Sequence, residues 1–167
     1  MIKDSTFFYA PSGTGKTTYL QEVWARDRHL DLAINLNRSH LPFKNHQVRY
    51  RTRAYLVTPD RKTPALSLSG SPVEWAREIF RFKIRKPRIQ HLLIDESQAV
   101  PAVYITQLIQ LVRGIYRHRV PVIMCGLKYG RFNGHYELMP QVRGLINVTE
   151  RVIRFKRADK PNYLARF

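Results

Sequence analysis

The chain has 167 residues, 29 Lys and Arg against 12 Asp and Glu, and a formal net charge of +17. Its length provides for one domain with one sizeable core, and a hydrophobic content of 44% excludes a disordered chain. So large a positive excess points to a polyanionic partner, most simply nucleic acid, against the plainer alternative of a solvated basic surface.

A single cysteine, Cys125, excludes an intrachain disulfide and a cysteine-based zinc site, and fits a cytoplasmic setting. No apolar run reaches membrane-spanning length, so no membrane partner is expected. The apolar stretch near Met1 runs directly into a glycine loop and does not read as a signal peptide.

Residues 5–10, β-branched and aromatic, predict a buried strand that a glycine-rich turn ends. Residues 17–29 predict a helix, with Leu20, Val23 and Trp24 at helical spacing. Residues 32–36 predict a second strand, 37–52 a basic surface loop, and 54–57 a short strand. Ser71, Pro72 and Glu74 together form a helix start: a serine cap, proline in the first turn and a capping-box glutamate. That helix is expected to turn Ala76, Ile79, Phe80 and Ile84 inward, and Arg77, Arg81, Lys83 and Arg85 outward. Residues 91–95 predict a buried strand. Residues 101–116 predict a helix whose stripe is Tyr104, Leu108, Leu111, Val112 and Ile115. The nearly unbroken apolar run 120–125 suits a parallel strand covered on both faces. Residues 145–148 and 152–153 are expected as the last strands.

Between the first strand and first helix stands Ala10-Pro11-Ser12-Gly13-Thr14-Gly15-Lys16-Thr17-Thr18. It matches the phosphate-loop pattern G-x-x-x-x-G-K-[ST] except that Ala10 takes the first glycine's place. Gly13 and Gly15 let the backbone wrap a phosphate with its amides pointing inward, and the helix N-terminus adds partial positive charge. In this reading Ser12 to Thr18 hold the nucleotide phosphates, Lys16 reaches the β- and γ-phosphates, and the Thr17 hydroxyl ligates magnesium. The plainer alternative is a glycine turn followed by an ordinary lysine.

A magnesium site of this kind needs a carboxylate at the end of a neighbouring strand. Asp95 closes an apolar run and is placed for that role. Glu96, next along, is expected to take a proton from the attacking hydroxyl or water. The alternative is a pair of solvated strand-end acids. With strands and helices alternating, the expected fold class is α/β, of P-loop NTPase type, a mainly parallel sheet flanked by helices with right-handed crossovers, in a single domain over residues 1–167.

These segments resemble the type II thymidine kinases, P-loop enzymes that phosphorylate thymidine. The loop through Leu20 resembles that family's G-P-M-[FY]-x-G-K-[ST]-T-x-L. Ile94-Asp95-Glu96-Ser97-Gln98 resembles its I-D-E-x-Q, and residues 122–127 with Phe132 resemble V-x-x-x-G-L-D-x-x-F. Thr58-Pro59-Asp60-Arg61 and Val148-Thr149-Glu150 are similar to its T-H-D-R-like and V-T-K-L segments.

The resemblance implies ATP held by Lys16 and the loop amides, Mg2+ by Thr17 and Asp95, and Glu96 as general base on a sugar hydroxyl. It further implies that Arg53 steadies the transferred phosphate and that Leu127 and Phe132 line a nucleoside pocket. The sequence departs from the family at Arg51, where an acid is expected, at Ala99, where an aromatic packs on the base, and at Lys128, where an acid follows G-L. Phe155 and Ala158 stand near the first pair of its zinc cysteines, so no zinc is expected, and its base-covering segment is not matched before Phe167. The missing wall leaves room for a second copy of the chain or a partner chain to complete the site.

The basic residues recur in stretches with few acids, with Arg77, Arg81 and Arg85 on one helix and tyrosines nearby, a composition that tracks and stacks single strands. For each tyrosine the alternative is an ordinary core position. The six histidines show no metal spacing. Two readings result: a thymidine-kinase-like phosphotransferase that transfers or hydrolyses the γ-phosphate of ATP, and a nucleic-acid-binding ATPase that has lost nucleoside kinase activity. A third, non-enzymatic reading is an ATP-gated scaffold, against which Glu96 stands.

Overall fold

A computed structural model describes residues 1–26, 31–35, 55–57, 66–67, 72–99 and 102–165. Five strands run parallel in one sheet: β1 (Ile2–Tyr9), β2 (Asp31–Asn35), β5 (His91–Asp95), β6 (Val122–Gly126) and β9 (Thr149–Arg154). Two short antiparallel strands, β3 (Tyr55–Val57) and β4 (Leu66–Ser67), extend the β2 edge, and the sheet order is β4-β3-β2-β5-β6-β1-β9. The fold is therefore α/β with a mainly parallel sheet flanked by helices.

Period-two alternation sends successive side chains to opposite faces. Phe7, Leu92, Ile94, Val122 and Met124 enter one core with α2 (Pro72–Arg85), α3 (Ala102–Tyr116) and α4 (Pro140–Val148). Phe8, Leu93, Ile123 and Cys125 enter the other with α1 (Lys16–Arg26) and α5 (Lys160–Ala165). All five residues of β6 are buried, as a strand covered on both faces requires.

The second core fixes the start of α1. The Phe8 ring packs edge-on to Tyr19 at 5.3 Å and lies 4.9 Å from the Tyr163 ring of α5. Lys160 Nζ reaches Glu22 Oε1 at 2.6 Å, a second tie between α5 and α1. Phe155 closes this aromatic cluster, 6.1 Å from Phe8.

Three expectations are corrected. Residues 145–148 belong to helix α4, with Val142 and Leu145 fully buried at i, i+3 spacing and Pro140 in the first turn. Three apolar residues interrupted by Asn147 fit either period, and the proline decides it. On α2 the buried line is Trp75, Ile79 and Phe82, while Phe80 and Ile84 are 56% and 69% exposed. This helix carries two apolar lines about one residue apart, and the one with tryptophan buries more apolar area. On α3 the buried line is Ile105, Leu108, Ile109, Val112 and Tyr116; Tyr104 is half-exposed, its ring edge-on to Trp75 at 6.2 Å.

An unexpected hairpin, β7 (Tyr129–Phe132) and β8 (His135–Leu138), follows β6. Its turn, Asn133-Gly134, has positive φ at both residues, 46° and 84°, which suits the twist of the flanking strands. The serine cap of α2, Ser71, lies outside the described residues, as do the strand-end residue Ala54, the 37–52 loop and Thr58 to Arg61. No helix among the described residues is long and apolar enough to cross a membrane.

Candidate functional site

The chain leaves β1 through α1 on one face of the sheet, and leaves β6 through the hairpin and α4 on the other. Adjacent strands β1 and β6 therefore feed connections that diverge, which opens a crevice at their carboxyl ends where ligands of α/β sheets bind. The glycine loop follows β1 there, Leu127 follows β6, and Asp95 and Glu96 end β5 beside it.

Gly13 and Gly15 adopt φ of +78° and +90°, and a Cβ at either would meet nothing within 4 Å. Backbone conformation, not crowding, is what demands glycine at both. Ala10 is buried and is not among the residues with positive φ, so the departure from the loop pattern at this position carries no backbone strain. Its amide donates to the Gly126 carbonyl at 3.3 Å, pinning the loop's first residue to β6.

Lys16 is 9% exposed, and its ammonium donates to the Ala10 and Pro11 carbonyls at 2.8 and 2.7 Å. Thr14 Oγ1 donates to the Pro11 carbonyl at 2.9 Å. The loop is thus closed around the lysine head. Burial holds the Lys16 pKa below its ordinary value, against the opposing pull of Glu96 and Asp95. Ser12 and Thr18 are exposed at the two ends of the same turn.

The Thr17 hydroxyl donates to Asp95 Oδ2 at 2.8 Å, across 78 positions of sequence. With its proton committed there, the Thr17 oxygen keeps its lone pairs free for a cation. Asp95 Oδ1 accepts the Glu96 amide at 2.9 Å. Burial pushes the Asp95 carboxyl up to about 6, with the Thr17 hydrogen bond pulling the other way. Hard oxygen donors from one hydroxyl and one carboxylate fit magnesium, which keeps most of its shell as water and substrate phosphate. No group of three or more His, Cys, Asp or Glu gathers as a metal cage among the described residues.

Glu96 sits at φ +55°, a left-handed conformation that costs a non-glycine residue about 1–3 kcal/mol. The turn takes it off the strand, so its side chain no longer follows the β5 alternation. Its carboxylate accepts a hydrogen bond from Gln98 Nε2. Gln98 is 6% exposed, and its Oε1 accepts the Leu127 amide at 3.0 Å. One buried amide therefore ties the expected base to the end of β6. Sequence reasoning gave Gln98 no role. Its importance depends on β6 lying beside β5, which no local pattern encodes.

The structure brings together Ser12 to Thr18, Asp95, Glu96 and Leu127 at this edge. Phe132 is the last residue of β7, at the hairpin turn, six positions beyond Gly126. Arg53 lies outside the described residues. Arg77, Arg81 and Arg85 are exposed on α2, in the layer opposite α1, and the fold does not bring them to the glycine loop. Arg81 pairs with Glu78 at 2.9 Å, a surface contact of little energetic weight. Cys125 is fully buried, and burial pushes its thiol well above the ordinary value, so it takes no part as a thiolate. No protein-family model matches the chain, and no curated protein matches it, so the reading of the site rests on its geometry and on the residues themselves.

Proposed function

We propose that this chain binds ATP with Mg2+ at the crevice between β1 and β6 and transfers or hydrolyses the γ-phosphate. The observation that carries this reading is the 2.8 Å contact between Thr17 Oγ1 and Asp95 Oδ2, which unites the phosphate-loop motif with the acidic strand end.

On binding, the Lys16 ammonium would exchange the Ala10 and Pro11 carbonyls for phosphate oxygens, and the amides of the loop and first turn of α1 would supply further donors. Thr17 and Asp95 would hold the magnesium, which neutralises charge developing on the phosphoryl oxygens when bound. Glu96, oriented by Gln98, would accept the proton of the attacking oxygen. Leu127, at the carboxyl end of β6, would border the acceptor. The fit with a P-loop NTPase-type fold and a thymidine-kinase-like phosphotransferase is supported by this arrangement together with the motif order along the chain.

A second reading, a nucleic-acid-binding ATPase, is favoured by the net charge of +17 and by the exposure of Arg77, Arg81 and Arg85. The experiment that tests both follows the labelled γ-phosphate of ATP with Mg2+, a nucleoside panel, and single-stranded DNA or RNA added or withheld. Label on a nucleoside supports the kinase. Free phosphate released faster with nucleic acid supports the ATPase. Retention of all label on ATP in every arm overturns both.

A further inference from the structure

We propose that the β7–β8 hairpin is a stacking platform for single-stranded nucleic acid, formed by Tyr129, Arg131 and Tyr136. The register pairs Arg131 with Tyr136 and Tyr129 with Leu138. Residues directly opposite in an antiparallel pair share a face, so both tyrosines and the arginine project to one side. The hairpin's acid, Glu137, pairs with Gly130 and lies on the other side.

Tyr136 is 78% exposed and Tyr129 49%, and Arg131 is exposed. Tyrosine ordinarily buries its ring; here one exposed and one half-exposed ring share a face with a guanidinium, Arg131 being two residues along the strand from Tyr129 and directly opposite Tyr136. The two tyrosines occupy diagonal positions, about 7–8 Å apart at the backbone, close to twice the rise of about 3.4 Å per base along a strand. Each ring offers a face on which one base can stack. Lys128 Nζ lies 4.5 Å from the Tyr9 ring centroid and 5.5 Å from that of Tyr129, which puts a second cation beside the platform for a phosphate.

The face carries π surfaces and positive charge. Its aliphatic residue, Leu138, is half-buried, while the exposed aliphatic side chains Val73, Ile84 and Val103 belong to α2 and α3. That composition favours unpaired bases over an apolar or acidic protein surface. Backbone hydrogen bonding joins Met139 to Lys128 at 3.1 Å and closes the hairpin's base, two residues past Gly126. The platform therefore stands at the same sheet edge as Thr17 and Asp95.

The proposal shares the polyanionic partner of the second reading above but needs no nucleotide turnover, so its test is run without ATP. Fluorescence anisotropy with a labelled single-stranded oligothymidylate would compare the full chain with Tyr136→Ala, Tyr136→Phe, Arg131→Ala and the double variant Tyr129→Ala/Tyr136→Ala. Loss of each stacked base is expected to weaken binding about 5- to 150-fold, with Tyr136→Phe retaining it. Arg131→Ala should lower the slope of log affinity against log salt by about one. Melting curves confirm that these surface variants fold. The proposal is overturned by an oligonucleotide affinity unchanged in the double variant, by no binding to the unsubstituted chain, by equal loss for duplex and single strand, or by polyglutamate binding that the same substitutions abolish.

Discussion

A Cβ placed on Gly126 would stand 2.5 Å from Gln98 Oε1 and 3.3 Å from the Gln98 backbone nitrogen. The end of β6 is thus bare because the Gln98 side chain passes over it, on its way between the Glu96 carboxylate and the Leu127 amide. Gly126→Ala is expected to displace that amide without touching its chemistry. Turnover should fall about 100-fold, the scale of a base misplaced by an ångström, with nucleotide affinity retained. Gln98→Ala should do the same, and the double variant should cost little more than either, because both break one contact chain. Additive losses in steady-state kinetics would assign the two residues separate roles.

Glu96→Gln keeps the shape and the backbone turn but removes the charge that accepts a proton. Nucleotide binding measured by calorimetry should be unchanged, and phosphate transfer should drop by about 10²–10⁴-fold. A variant with undiminished turnover removes Glu96 as the base. Loss of binding instead would move Glu96 to the cation site.

Asp95 and Glu96 could be singled out in the sequence because an apolar run of β5 stops at an acid pair, in a stretch otherwise free of acids from residue 79 to 136. The parallel, two-sided sheet could be inferred for the same reason: runs such as residues 120–125 have no polar face to show water. Elsewhere local pattern was degenerate. Residues 145–148 are apolar except for Asn147, and only Pro140, five positions before Leu145, marks the helix start. The α2 phase turned on which of two apolar lines holds Trp75, a question of buried area rather than spacing. The hairpin had a readable signal in Asn133-Gly134, flanked by short aromatic segments. Gln98 stood out only as the last position of the I-D-E-x-Q resemblance, with no role attached, since its partners come from the turn after β5 and from the end of β6.

Lys16→Ala should abolish ATP binding in calorimetry. The ammonium closes the loop by bonding two carbonyls at 2.8 and 2.7 Å, and no other lysine or arginine among the described residues is bonded to those carbonyls. Lys16→Arg is expected to fail as well, because a planar guanidinium cannot enter a turn shaped round a point charge. ATP affinity in Lys16→Ala equal to that of the original chain would end the phosphate-loop reading.

The buried Asp95 carboxyl gives the site a pH dependence of defined sign. Below the ordinary value of 3.8 the group is protonated both folded and unfolded, and it adds nothing. Between 3.8 and about 6 the folded chain keeps a proton that the unfolded chain has released, so stability falls as pH rises through this window. Above pH 6 the cost levels off at about 3 kcal/mol, the product of that shift and 1.36 kcal/mol per unit. Magnesium with a nucleotide requires the ionised form, so its affinity should rise about tenfold per pH unit up to 6 and then flatten. Asp95→Asn should match the original chain's melting temperature near pH 4, exceed it at pH 7.5, and lose magnesium-dependent nucleotide binding at every pH. The chain's own stability therefore opposes the charge that the cation needs, and cation binding would recover that cost. A melting-temperature difference between the two proteins that stays constant from pH 4 to 7.5 would show that Asp95 titrates normally and that no such coupling exists.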